Sequence, residues 1–376
     1  MNFQDRLADI RRRMQDEKLL LLVALHDGAH FIEKPNPVTV LSGFKSIGPA
    51  AAVLYSDGGC TLIVTPRWDA GRAAALCPQA RVTGTDDLVA ALLAMFGGEF
   101  PQDAHDQVGT AGLALLPSGM ARPISAALPR ARSADKLVFD AARSKTVEEI
   151  EFAREAARIA ELGYTRLLQI ARIGMTEDEL AVELRDHMKA LGAEDNFLLL
   201  CAGPHNRAVQ PSTGRKLQHG DIILAEITPS YRGQLTQICR TVTIGEPPEM
   251  LSRKYELVVQ AMNEGIAAAR PGVPMGQVCG AINAVLEAQG YGEYCHPPHI
   301  RRRGHGLGFA SVRPGDVSLD NATVLEPDML FMIHPNQYLP ETGYLLCGEP
   351  VVITAHGAEV LTAERSALGV AGRWKA

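Results

Sequence analysis

Apolar residues in the first third of the chain gather in short runs, at residues 19–25, 50–55 and 60–65, separated by amphipathic stretches near residues 3–17, 68–77 and 86–96. Short β-rich runs read as strands, and the longer stretches of helical period between them as helices. Ser56-Asp57-Gly58-Gly59 supplies a tight turn between the second and third runs. The pattern predicts a small α/β domain ending near Leu137. Thr146 and Glu149 then have capping-box spacing, in which the hydroxyl takes a free N–H and the carboxylate reaches back to the cap. A long helix opening a second domain, residues 138–376, is expected there.

Within that second part a pattern recurs. Ala171-Arg172-Ile173-Gly174, a helix and Gly192 reappear 98 residues later as Ala269-Arg270-Pro271-Gly272, a helix and Gly290. The repeat predicts two stacked halves, each of helices plus sheet, with a site in the cleft where they meet.

Composition narrows the class. With 376 residues, 46% hydrophobic and 21% charged, the chain can bury two domain cores. Net charge is −6, the pI is about 6.0, and no basic run is longer than Arg301-Arg302-Arg303, so nucleic acid is not an expected partner. Seven scattered cysteines without a C-x-x-C pair argue against a disulfide framework and for a reducing cytoplasm. The N-terminal stretch lacks the apolar core of a signal peptide, and no run approaches the roughly 20 apolar residues of a membrane span.

The residues with candidate chemistry lie in the repeated part. Glu226 interrupts the apolar run 222–227, where a carboxylate is costly unless paired or functional. In a hairpin turning at Tyr231-Arg232, Glu226 and Gln237 are expected about opposite each other and on one face. Leu330, Met332 and His334 alternate along a later strand, and residues 343–354 form another that carries Glu349. His305 stands between glycines, which let a backbone approach a ligand. Cys239 and Cys347 read as small core fillers.

The hairpin, Gly304-His305-Gly306-Leu307-Gly308, Leu325-Glu326-Pro327-Asp328-Met329 and the repeat together resemble the creatinase/prolidase/methionine aminopeptidase superfamily, the pita-bread fold. The resemblance covers roughly residues 138–365. The N-terminal domain, with Leu41-Ser42-Gly43-Phe44, is similar to that of the creatinase and aminopeptidase P branch. It implies an α+β fold: a pita-bread domain with a pseudo-twofold repeat behind a small α/β domain.

The family's metallopeptidases carry five metal ligands in the order Asp, Asp, His, Glu, Glu. Here those positions fall on Glu226, Gln237, His305, His334 and Gly348, or Glu349 with a shift of one. The assisting histidine seven residues after His305 is Val312, and another before the hairpin falls at Val209, with His205 nearby. Glu226-Ile227, Tyr231 and Arg240-Thr241 resemble the ectoine hydrolase pattern. The implied activity is metal-independent hydrolysis of a non-peptide C–N bond in a small amide, amidine or nitrogen-ring compound, without cofactor. Glu226, His305 and His334 would be catalytic, with the histidines moving protons near neutral pH. Gln237, Glu349 and Tyr231 would bind substrate. Arg67 and Trp68 would reach a partner's cleft in a homodimer. Three alternatives stand beside this: a single-metal hydrolase using Glu226, His305, His334 and Glu349; an Xaa-Pro peptidase-like enzyme; and a non-catalytic binding protein.

Overall fold

Strands buried on both faces need apolar side chains at every position, which is why the first third reads as unbroken runs. In the computed structural model, which describes residues 1–30, 34–98, 106–308 and 312–372, six strands form one mixed sheet. They are β1 (Leu21–His26), β2 (Ala50–Tyr55), β3 (Cys60–Val64), β4 (Arg81–Gly84), β5 (Val108–Ala111) and β6 (Arg132–Ser133), in the order β4-β3-β2-β1-β5-β6. Leu22, Ala24, Ala52, Leu54 and Leu62 pack with α1 (Phe3–Asp16), α2 (Pro37–Ser42) and α3 (Ala70–Leu76). Leu21, Val23, Leu25, Val53 and Ile63 pack with α4 (Leu88–Gly98) and α5 (Ser118–Ala127).

Helix α6 (Asp135–Ala141) adds Leu137, Val138 and Ala141 to this core. The main division between the two compact units therefore falls between Thr146 and Val147, past the expected boundary at Leu137.

The second unit is built twice over. Helices α7 (Val147–Ile170) and α8 (Glu177–Ala190) precede β7 (Asn196–Gly203), β8 (Ile222–Tyr231), β9 (Gln234–Leu235) and β10 (Ile238–Ile244). Helices α9 (Glu249–Ala268) and α10 (Met275–Ala288) precede β11 (Gly304–Gly306), β12 (Leu330–Ile333), β13 (Gln337–Leu339), β14 (Gly343–Leu345), β15 (Glu349–Thr354) and β16 (Gly357–Val360). The glycines that marked the repeat, 174, 192, 272 and 290, all stand at positive φ, the conformation that ends a helix or turns the chain without a Cβ penalty.

One sheet runs β17 (Gly369–Ala371)-β10-β8-β7 with β9 on β8; the other runs β11-β12-β15-β16. Leu198, Leu200, Ile223, Ala225, Ile227 and Ile238 lie under α7 and α8. Leu330, Phe331, Ile333, Val351 and Ile353 lie with α9 and α10, and Ile222 and Leu224 join them from the opposite face of β8. Strand alternation puts Glu226 on that second face, where the halves meet. Among the described residues no helix is long and apolar enough to cross a membrane.

Candidate active site

The two sheets of the second unit touch at Cys239 and Gly348, whose backbones exchange hydrogen bonds of 3.2 Å each way. Strand pairing sets Glu226 opposite Cys239, not Gln237. The hairpin turns at Arg232-Gly233, both at positive φ, and Tyr231 faces Gln234. Gln237 is therefore diagonal to Glu226 on the same face, and its Nε2 donates to Thr228 Oγ1 at 3.1 Å.

Glu226 is half-buried. Asn336 Nδ2 donates to its Oε1 at 3.4 Å, and Cys239 Sγ lies 4.0 Å from that oxygen. Neither Arg215 nor Arg240 pairs with it: Arg215 holds Asp221 and Arg240 holds Glu349. Burial pushes its carboxyl up to about 7, against the opposing pull of the Arg302 charge and the Asn336 hydrogen bond.

His305 projects from β11 with its Nε2 3.2 Å from Gln237 Oε1 and its Nδ1 3.0 Å from the Gly306 carbonyl oxygen. Gln237 thus bonds Thr228 through one end of its amide and His305 through the other, and so positions His305. The rings of His305 and His334 stand edge to face with centroids 5.3 Å apart. His334 follows β12, its backbone N–H donating to the Arg303 carbonyl at 2.9 Å. Burial, with the charges of His305 and Arg302, holds its pKa well below the usual histidine range. It stays neutral near pH 7, so the expectation that it carries protons there is corrected.

Two further expectations change. Glu349 is fully buried and faces away, with its carboxylate 3.1 and 3.2 Å from Arg240 Nη2 and accepting 2.7 Å bonds from Thr362 and Ser366. It is not open to a substrate cation. Tyr231 has the wrong strand parity; it packs with the α7–α8 core, edge to face with Phe152. Arg67 and Trp68 belong to the first unit, where Arg67 lies 3.5 Å from Asp86 and Trp68 is 72% exposed. His205 bonds the Pro340 carbonyl at 3.1 Å.

Asn336 was missed by sequence reasoning. It stands at φ 25°, a backbone conformation that asparagine tolerates better than most residues, with Oδ1 accepting from Cys347 N at 3.1 Å. The only signal was an asparagine following His334-Pro335.

The profile of metallopeptidase family M24 matches residues 151–355, more than half of the chain. The chain belongs to that family, within the creatinase/aminopeptidase P superfamily of pita-bread proteins. It is 29% identical over 238 residues to an uncharacterized peptidase, YqhT, of Bacillus subtilis, covering 62% of this chain and 65% of that one. An Xaa-Pro dipeptidase of Pyrococcus furiosus is 29% identical over 231 residues, 61% of this chain and 65% of that one. The chain thus matches just under two thirds of the length of these relatives. An Xaa-Pro dipeptidase structure from Bacillus anthracis superposes with a TM-score of 0.81 at 20% identity, covering 98% of this chain and 100% of that one, which shows the fold.

These relatives are peptidases of a metallopeptidase family, which overturns the expectation of a metal-independent, creatinase-like hydrolase of non-peptide C–N bonds. The donor set, however, does not fit the metal ions that the family name implies. Gln237 offers an uncharged amide, Gly348 has no side chain, and Glu349 is held by Arg240. Among the described residues no group of three or more His, Cys, Asp or Glu side chains is arranged to hold a metal ion. The single-metal set of Glu226, His305, His334 and Glu349 fails for the same reason, and no step below is routed through a metal.

Two outcomes follow. Glu349→Gln leaves Arg240 buried without its counter-charge and lowers stability by about 3–5 kcal/mol in urea denaturation, whereas replacing both partners with apolar residues costs less. Glu226 carries a raised pKa, so the folded state binds the extra proton between pH 4.5 and 7, and stability falls as pH rises through that window. Glu226→Gln removes this loss: the variant exceeds the natural protein at pH 8 by up to about 3 kcal/mol and matches it near pH 4, as read by denaturation at both pH values.

Proposed function

We propose that the second unit hydrolyses a peptide bond, in a dipeptide or short peptide of the Xaa-Pro kind, with Glu226 handling the proton. Family membership and the peptidase relatives support the bond class. The observation that carries the role of Glu226 is a half-buried carboxylate, poised near pH 7, on the face where the two halves meet. Such a group takes a proton from water attacking the scissile carbonyl and returns one to the departing amine nitrogen as the C–N bond breaks. The Arg302 charge, which is felt at Glu226, offers positive potential to the developing oxyanion.

A second reading, a peptide-binding protein without turnover, is favoured by Gln237, His334 and Gly348 at positions where the family pattern has acidic ligands.

The test is hydrolysis of Xaa-Pro dipeptides from pH 5 to 9, with and without added divalent cations. The expected result is turnover that rises as Glu226 ionises near pH 7 and falls by about 100-fold or more in Glu226→Gln. Undiminished turnover in that variant removes Glu226 from the chemistry. Saturable dipeptide binding by calorimetry with no product under any condition replaces the enzyme with the second reading.

A further inference from the structure

Helix α10, the 3-10 turn Gly292–Cys295 and the loop at 296–303 border a cavity of about 310 Å³ that Glu226, Gln237, His305 and His334 do not line. Arg301, Arg302 and Arg303 all stand on its wall, with Asp320 as the one carboxylate among its lining residues. Asp320 accepts a hydrogen bond of 2.6 Å from Ser318, and Arg302 pairs with Asp316 at 3.0 Å.

Arg303 is the unusual member. It is 1% exposed. Its Nε donates to Asn283 Oδ1 at 2.7 Å, and its Nη1 donates to Gln337 Oε1 at 2.9 Å and to the Pro335 carbonyl. All three partners are uncharged. Its Nη2 is buried without a hydrogen-bond partner among the described residues. The neighbouring Cys279 and Cys295 thiols supply no counter-charge, because burial raises both, Cys279 to about 11. A buried cation with neutral partners and one idle donor is costly unless something negative completes it. A neutral ligand would satisfy the donor and leave the charge.

We propose that this cavity binds a small oxyanion, the carboxylate or phosphate group of a small ligand, contacted by Arg301 and Arg302 and balancing the uncompensated charge of Arg303 in the wall behind them. A guanidinium matches the oxygens of either group in geometry and charge. Arg302 is the one residue this cavity shares with the peptidase reading; the residues varied in the test, Arg301 and Arg303, have no part in that reading, so failure of one is distinguishable from failure of the other.

The experiment is titration calorimetry of the full chain with inorganic phosphate and with acetate at matched ionic strength in chloride. Saturable binding of phosphate alone assigns a phosphate group, of acetate alone a carboxylate, and of both a general oxyanion site. Arg303→Met is expected to abolish binding. Arg301→Ala, at an exposed side chain, keeps the fold and weakens binding by about fivefold or more, which tests the site even if Arg303→Met does not fold. Binding of neither anion overturns the proposal, as does unchanged affinity in the folded Arg301→Ala protein or in a folded Arg303→Met protein.

Discussion

The buried ion pair of Arg240 and Glu349 closes the seam on which the second unit depends. Arg240 Nη1 reaches the carbonyls of Cys239 and Gly348 and the hydroxyl of Ser366, while its Nη2 holds the carboxylate. One guanidinium thereby satisfies the backbone of both sheets where they touch. Thr241 repeats the device one residue on, exchanging 2.8 Å bonds with Leu346 N and O. Cys239 lies directly opposite Glu226, so the same crossing that fixes the seam also fixes where that carboxylate stands. A buried pair of this kind adds little net stability over an apolar filling, and its value lies in specifying one arrangement of the sheets.

Beside that seam, one physical cause acts on two groups in opposite senses. Loss of water disfavours the charged form of both Glu226 and His334, raising the acid and lowering the base. The result near neutral pH is a carboxyl close to its titration midpoint and an imidazole held in its neutral form. Arg302 contributes to both environments, opposing the rise at Glu226 and deepening the fall at His334. Under the proposed function the proton chemistry therefore falls to Glu226.

Much of this was legible in the sequence, and the failures have definite causes. The repeat was visible because glycines at positive φ are required at equivalent turns of both halves. Period-two alternation placed Glu226 and Gln237 on one face. Their register was not readable, because it rests on the turn being at Arg232-Gly233, one residue past the Tyr231-Arg232 turn that direct opposition would need, which moves the partner of Glu226 by two residues to Cys239. The same alternation, carried on to Tyr231, would have sent that side chain to the other face. The domain boundary was set too early because the apolar positions of α6 look alike whichever core they join. Asn336 acts through a local backbone conformation that no periodicity announces.

The loss of acidic ligands also has a structural logic. A Cβ at Gly348 would lie 2.5 Å from His334 Cβ and 2.6 Å from Met332 Cε, so the chain approach at the seam leaves room there only for glycine. The nearest carboxylate in sequence is one residue later. A shift of one in a strand turns a side chain to the opposite face, and Glu349 accordingly shares a register position with Ile333 and meets Arg240 instead of the histidines. The acidic residue is therefore not displaced within the site but reassigned to the seam. Close contact of the sheets and a second carboxylate facing His305 are mutually exclusive at this backbone spacing, and this chain has adopted the former.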